Sequence, residues 1–290
     1  DVCFVLDNVS TNTFASSTGC LAKKNMSLKS LDGSLVGYWD METCTGTGGI
    51  CGVGDKLKDL SGNGGDGSFS GNILPIGTGG YMGKGYYFSG NGASATTNYS
   101  MIHTIQELDF KSSPEFSVSV MLKSEETCPL NTADFTGPSY ASLVVESSSN
   151  FNTNTGAFSL GESDYSSTRF TKECQTTGGY RINLLEGTNY SIIRSNNKTT
   201  IGLWKTITLV SSYSKDGFKE TALYINGVKQ GNYTEIFRKK ISGIISNNKL
   251  YFGSRAGGAW SYKGIIDDVK IYNRALSDSE IRQQAKIAGF

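Results

Sequence analysis

Gly264-Ile-Ile-Asp-Asp-Val-Lys-Ile-Tyr-Asn-Arg-Ala-Leu-Ser-Asp-Ser-Glu-Ile281 is the stretch that decides the fold of this 290-residue chain. Its first half, residues 264–272, is rich in β-branched residues and reads as a long strand. Its second half turns helical. Ser277 stands three residues before Glu280, so a serine N-cap and its reciprocal glutamate form a capping box ahead of a helix over 281–286. One strand running into one short capped helix leaves open what the rest of the chain supplies.

It supplies strands. Short alternating or β-branched runs recur at 35–39, 85–89, 116–122, 142–146, 180–185, 191–194, 204–213, 219–225 and 249–253. Turn clusters separate them, among them Ser61-Gly-Asn-Gly-Gly65, Lys215-Asp-Gly217 and Asn226-Gly227. Asn-Gly is the strongest hairpin signal, because both residues accept positive φ. Many short strands with turn punctuation imply an all-β jelly-roll sandwich. Alternation predicts Trp39, Phe88, Val118, Trp204, Leu223 and Ile271 in the core, with Ile281 of the helix packed below.

Composition narrows the function classes. With 27 basic and 26 acidic residues the net charge is +1, so no basic field exists to hold nucleic acid. No run approaches the ~20 apolar residues of a membrane span, so no membrane insertion of this chain is expected. A single histidine, His103, excludes multi-histidine zinc centres and has no nucleophile motif to serve.

The six cysteines form three local groups with no Cys-x-x-Cys among them. Nearest-neighbour pairing, Cys3 with Cys20, Cys44 with Cys51 and Cys128 with Cys174, is favoured because each pair closes a segment poor in apolar material. Each bridge would contribute ~2–4 kcal/mol by restricting the unfolded chain. Framework cysteines and a low charge content imply a place outside the cell.

Several segments in order carry a family resemblance: Leu35-Val-Gly-Tyr-Trp-Asp40, Asp59-Leu-Ser-Gly-Asn-Gly-Gly-Asp-Gly67, Gly83-Lys-Gly-Tyr-Tyr-Phe-Ser-Gly90, Gly202-Leu-Trp-Lys-Thr-Ile-Thr-Leu-Val210, Leu223-Tyr-Ile-Asn-Gly-Val228 and the terminal stretch quoted first. Together they resemble the laminin-G-like branch of the concanavalin A-like lectin/glucanase superfamily over residues 33–290. The resemblance implies a two-sheet jelly roll whose first and last strands pair, and a module that binds glycans or proteins, with some relatives hydrolysing glycosides. Two departures stand out: a Ser/Thr/Asn-rich tract at 125–177, expected as a disulfide-stapled, loop-rich insertion, and Gly90-Asn-Gly-Ala-Ser-Ala95, where many members carry an Asp-Tyr pair. Residues 1–32 lie outside the pattern. Their abrupt start resembles a truncated pilin module, which implies the lectin-bearing minor type IV pilins of Gram-positive bacteria, a place on the bacterial surface and other pilus subunits as partners.

Glycoside hydrolysis needs two carboxyl groups facing one another across a cleft. The related glucanases use Glu-x-Asp-x-x-Glu; the nearest match here is Glu162-Ser-Asp164, with Ser167 in the third place. Glu162 is expected in a loop, solvated or hydrogen-bonded, and no catalytic residue is assigned. Calcium is expected as a structural ion, since the Gly-rich turn offers Asp59, Asn63 and Asp66, with Asp40 nearby in sequence and Asp267 implied by related folds. A tight turn closed by Asx hydrogen bonds is the alternative. For glycans, Arg255, Trp260 and Tyr262 share a Gly-rich loop where an aromatic face and a guanidinium can meet a sugar, including the carboxylate of a sialylated one. Tyr165 and Arg169 are further candidates of the same type. The reading is therefore a non-catalytic lectin module of a surface adhesin that attaches to host glycans; a protein-binding module or the sugar-binding module of a secreted hydrolase are the alternatives.

Overall fold

The structure, a computed structural model, describes residues 33–45, 51, 54–72, 74–90, 99–108, 115–125, 141–147, 157–163, 179–186, 189–195, 200–217, 219–230, 249–258 and 260–290. The strands in chain order begin with β1 (Leu35–Trp39), β2 (Lys56–Leu57), β3 (Gly67–Gly71), β4 (Ile76–Gly79), β5 (Lys84–Ser89) and β6 (Ser100–Thr104). There follow β7 (Phe116–Ser124), β8 (Ala141–Glu146), β9 (Ala157–Ser163), β10 (Gly179–Glu186) and β11 (Asn189–Arg194). The chain closes with β12 (Trp204–Tyr213), β13 (Lys219–Ile225), β14 (Val228–Lys229), β15 (Tyr251–Phe252), β16 (Lys263–Tyr272) and helix α1 (Asp278–Ile287).

Two antiparallel sheets result. Sheet A runs β14-β13-β12-β7-β16-β5-β4 with β1 joined to β16, and sheet B runs β11-β10-β9-β8-β15-β6-β3-β2. The first and last strands of the described residues therefore pair, Leu35 opposite Tyr272 and Trp39 opposite Val269. This is a concanavalin A-like jelly-roll sandwich, as the sequence implies. Residues two apart share a face, so Phe116, Val118, Val120 and Leu122 of β7 meet Phe158 and Leu160 of β9 between the sheets. Phe116 stacks on Phe158 at 5.1 Å, and Trp39 meets Phe252 edge-on at 5.1 Å. Burying each such side chain contributes about 1.5–3 kcal/mol.

The outward face of sheet A is closed by α1. Leu35, Tyr38, Val210, Tyr224, Tyr272 and Leu276 form a second apolar cluster around Ile281. The capping box forms as expected: Ser277 accepts the Glu280 N–H, and the Glu280 carboxylate receives the Ser277 N–H at 2.8 Å. Arg274 grips the same carboxylate with two N–H groups at 3.0 and 2.7 Å and is the main reason it titrates at about 2. The Asn226-Gly227 hairpin is also present, with φ of 51° and 75°. A Cβ on Gly227 would meet that of Ala285 at 2.8 Å, so glycine is required by conformation and by packing against α1.

Two expectations are corrected. Trp204 is half-buried rather than core: Ile207 and Leu209 point inward, so even-numbered positions of β12 point out, and Trp204 rests edge-on against Tyr81 at 5.8 Å. Residues 157–163, expected within a loop-rich insertion, form strand β9, which with β8 lies in the middle of sheet B and buries Val144, Val145, Phe158 and Leu160. The Cys44–Cys51 disulfide is formed. Cys3, Cys20, Cys128, Cys174 and the segment 1–32 lie outside the described residues. Among the described residues no helix is long and apolar enough to cross a membrane.

Candidate functional site

The Gly-rich turn before β3 is organised by its own carboxylates. Asp59 accepts the Tyr38 and Ser61 N–H groups on Oδ1, at 3.0 and 2.9 Å, and the Gly65 N–H on Oδ2 at 3.0 Å. Asp66 accepts the Asp59 N–H at 2.9 Å on one oxygen and pairs with Lys58 at 3.1 Å on the other. Asn63 donates its amide to the Val36 carbonyl at 3.2 Å. Asp40 accepts the Glu42 and Thr43 N–H groups, both at 3.0 Å, and Asp267 accepts the Tyr81 N–H at 2.9 Å. Burial, with Asp268 beside it, raises Asp267 to about 7. These oxygens face backbone donors rather than one another, and among the described residues no three His, Cys, Asp or Glu side chains gather around a common point. The arrangement fits Asx turns.

Sheet B presents a different surface. Ser68, His103, Tyr251, Glu146 and Ser159 lie directly opposite one another across β3, β6, β15, β8 and β9. Paired residues share a face, and their neighbours Ile102, Phe252, Val145 and Leu160 point into the core. The row therefore faces away from the core. His103 packs its ring over Tyr251 at 6.2 Å and meets the Ser70 hydroxyl at 3.1 Å through Nδ1. Glu146 is wholly buried, and burial pushes its carboxyl up to about 7 against the opposing pull of Arg255.

The loop from β15 to β16 delivers the remaining groups. Arg255 reaches back so that Nε donates to Glu146 Oε1 at 3.2 Å, and its guanidinium lies 4.2 Å from the centroid of the Trp260 ring. Trp260 is half-buried and sits at φ 59°, a left-handed conformation uncommon for a bulky residue. The loop is held on both sides: Gly258 N–H bonds Arg255 O at 2.8 Å, Ser261 Oγ bonds Gly258 O at 3.1 Å, and Tyr262 N–H bonds Gly253 O at 2.7 Å. A Cβ on Gly258 would fall 2.3 Å from the Tyr99 ring, so that ring lies flat against the loop backbone.

Tyr262 is a correction. It is wholly buried on the core side, where it joins Ser124, Glu162 and Tyr180, and it is out of reach of a surface ligand. Glu162 is a second correction: it is a strand residue of β9, 1% exposed, bonded to the Ser124 hydroxyl, and raised by burial to about 7. Its inward parity puts it on the opposite face of sheet B from Glu146, since 158, 160 and 162 point inward and 159 outward. Tyr165 and Arg169 lie outside the described residues. The structure thus unites Arg255 and Trp260 and adds Glu146, Tyr251, His103 and Tyr99, which sequence reasoning missed. Glu146 had one signal: a carboxylate closing the apolar run Leu143-Val-Val-Glu146 at an outward position.

Residues 140–282 match the family model of the concanavalin A-like lectin/glucanases superfamily. No curated protein gave a match by sequence. Domain 4 of an extracellular arabinanase from Geobacillus stearothermophilus, solved with arabinotriose, superposes with a TM-score of 0.55 at 19% identity, covering 87% of this chain and 98% of that one. Botulinum neurotoxin type C, described as entering cells through two ganglioside molecules, superposes with a TM-score of 0.55 at 15% identity over 89% of this chain and 52% of that one. A Trypanosoma rangeli sialidase gives a TM-score of 0.52 at 13% identity over 87% of this chain and 32% of its own. The chain thus spans about half of the toxin chain and a third of the sialidase. At these identities the likeness establishes the fold.

Proposed function

We propose that the chain is a glycan-binding, non-catalytic module whose site is the outward face of sheet B around Arg255 and Trp260. The observation that carries this reading is the stack of Trp260 on a guanidinium that a buried glutamate anchors. An indole fixed at a defined angle on a rigid sheet offers a flat apolar face for the C–H side of a sugar, with polar groups alongside to orient hydroxyls. Solved structures of the same fold, with arabinotriose and from a toxin described through gangliosides, support a saccharide as the class of partner. The absence of chemistry is supported by the positions of the buried glutamates Glu146 and Glu162, which face opposite sides of sheet B and cannot flank one glycosidic bond. The Cys44–Cys51 disulfide supports a place outside the cell.

Printed glycan arrays with the wild-type protein and Trp260→Ala test the site. Saccharide hits on the wild type that vanish in a folded Trp260→Ala variant are expected. Hits that persist unchanged would move the site elsewhere, and release of reducing sugar from any hit would overturn the non-catalytic reading. The finer form of the proposal, a lectin of a minor type IV pilin attaching a bacterial filament to host glycans, is tested by immunogold labelling of surface filaments.

A further inference from the structure

The geometry points to an uncharged saccharide as the ligand of the Arg255–Trp260 site, with Glu146 as the residue that sets this selectivity against sialylated and other anionic sugars. This inference rests on the glycan-binding reading and deepens it. A lone arginine beside an aromatic ring suggests recognition of a carboxylate, since its planar fork can pair with one bidentately. Here the fork is engaged from two sides. Nε is committed to Glu146 at 3.2 Å, and the face of the guanidinium is covered by Trp260 at 4.2 Å. The arginine side chain is only 14% exposed and the glutamate side chain not at all, so water screens the pair poorly.

Above about pH 7, where Glu146 is ionised, an incoming carboxylate would meet this arginine with an anion already bound to it, so the arrays are read at pH 8. What attraction the ligand gained from Arg255 it would lose in repulsion from Glu146, and the glutamate cannot turn away. It is held in β8 with Tyr251 on one side and Ser159 on the other. Hydroxyl groups carry no such penalty. The half-buried end of the row offers them an imidazole at His103 and the hydroxyl of Ser70, with Trp260 on the adjoining loop and the Tyr99 ring packed against that loop. The arginine therefore serves to hold Trp260 in place, and Glu146 serves to hold and neutralise the arginine. Glu146 is a specificity-determining position, not a catalytic residue.

The test is an array of matched oligosaccharide pairs differing only by a terminal sialic acid, probed with the wild type, Trp260→Ala and Glu146→Gln. For the wild type, the neutral member of each bound pair should give about tenfold more signal than its sialylated partner, the scale expected when like charges are brought together. Glu146→Gln keeps an acceptor for Arg255 and removes the anion, so it should narrow or invert that ratio. Should that variant fail to fold by circular dichroism, the wild-type ratio decides by itself. Wild-type signal that favours the sialylated members and is lost in Trp260→Ala would overturn this inference while leaving the glycan site standing. An unchanged ratio in folded Glu146→Gln would equally overturn the role given to Glu146. Signal indifferent to Trp260→Ala, or no saccharide bound at all, would instead overturn the site, and this inference with it.

Discussion

Sheet A hides its outward residues Tyr38, Val210, Tyr224 and Tyr272 beneath the apolar face of α1, whereas sheet B sets His103, Tyr251, Glu146 and Ser159 in one row across four strands. Both sheets are built by the same alternation, and both bury their inward residues against a common core. They differ in what closes the other side. On sheet A the closing element is a helix carrying Ile281 and Ala285 into the apolar cluster, with Tyr224 and Tyr272 also hydrogen-bonded to Asp278 and Gln284 of the helix. On sheet B the contact described is a charge pair beneath an indole. An apolar covering contributes stability through area removed from water. A buried ion pair contributes little net stability, because desolvation offsets attraction. One face is thus closed by apolar area and the other, on the reading proposed above, serves recognition, and this division can be broken by measurement.

The largest expected effect lies on sheet A. Ile281→Ala removes the residue at the centre of the outward cluster and should cost about 2–4 kcal/mol in urea unfolding. Trp260→Ala on the other face should cost about 1 kcal/mol or less, as loss of a cation–π contact beside a partly exposed ring does. Equal losses in the two variants would erase the division.

Glu162 sharpens it from inside. Burial raises its carboxyl to about 7 in the folded protein, above the ~4.3 of an unfolded chain. Folding therefore favours the protonated form: its contribution is fully present below the unfolded value and is lost as pH rises through about 7. Glu162→Gln cannot ionise, so its stability relative to wild type should grow by about 2–3 kcal/mol between pH 5 and pH 8. Parallel urea titrations at the two pH values check this, and a difference independent of pH would show that Glu162 is not the buried titrating group.

Smaller effects follow at the edges. Ser277→Ala removes the N-cap hydroxyl of α1 and should cost about 1 kcal/mol, read as a lower thermal midpoint. A calcium chelator should leave the midpoint where it is, because the oxygens of Asp59 and Asp66 already serve the turn. A chelator-induced fall would identify an ion bound only to the folded state.

The positions of the strands and the identity of the closing helix were legible in the residues because both are local. Alternation over five to ten residues, an Asn-Gly turn and a serine three places before a glutamate each specify backbone within one short window. The site was legible only in part, and particular residues show why. Arg255 and Trp260 lie five apart on one Gly-rich loop, so proximity in sequence was enough to join them. Tyr262 lies two residues further and was grouped with them, yet its ring is buried in the core, because its backbone is already tied to Gly253 and Gly90 one residue before β16 begins. Trp204 failed for a related reason: an aromatic residue in an apolar run can lie on either face, and parity decides only once the inward neighbours are known.

The sequence alone determined that this chain forms an all-β sandwich closed by one capped helix, since hydrophobic period and turn chemistry act between near neighbours. Only the tertiary structure decided that Glu146, 109 residues before Arg255, neutralises it. That pairing depends on β15 lying between β8 and β6, and strand order within a sheet is set by the packing of the whole core. No local pattern encodes which distant strands become neighbours, so the charge balance of the site is a property of the assembled sheet.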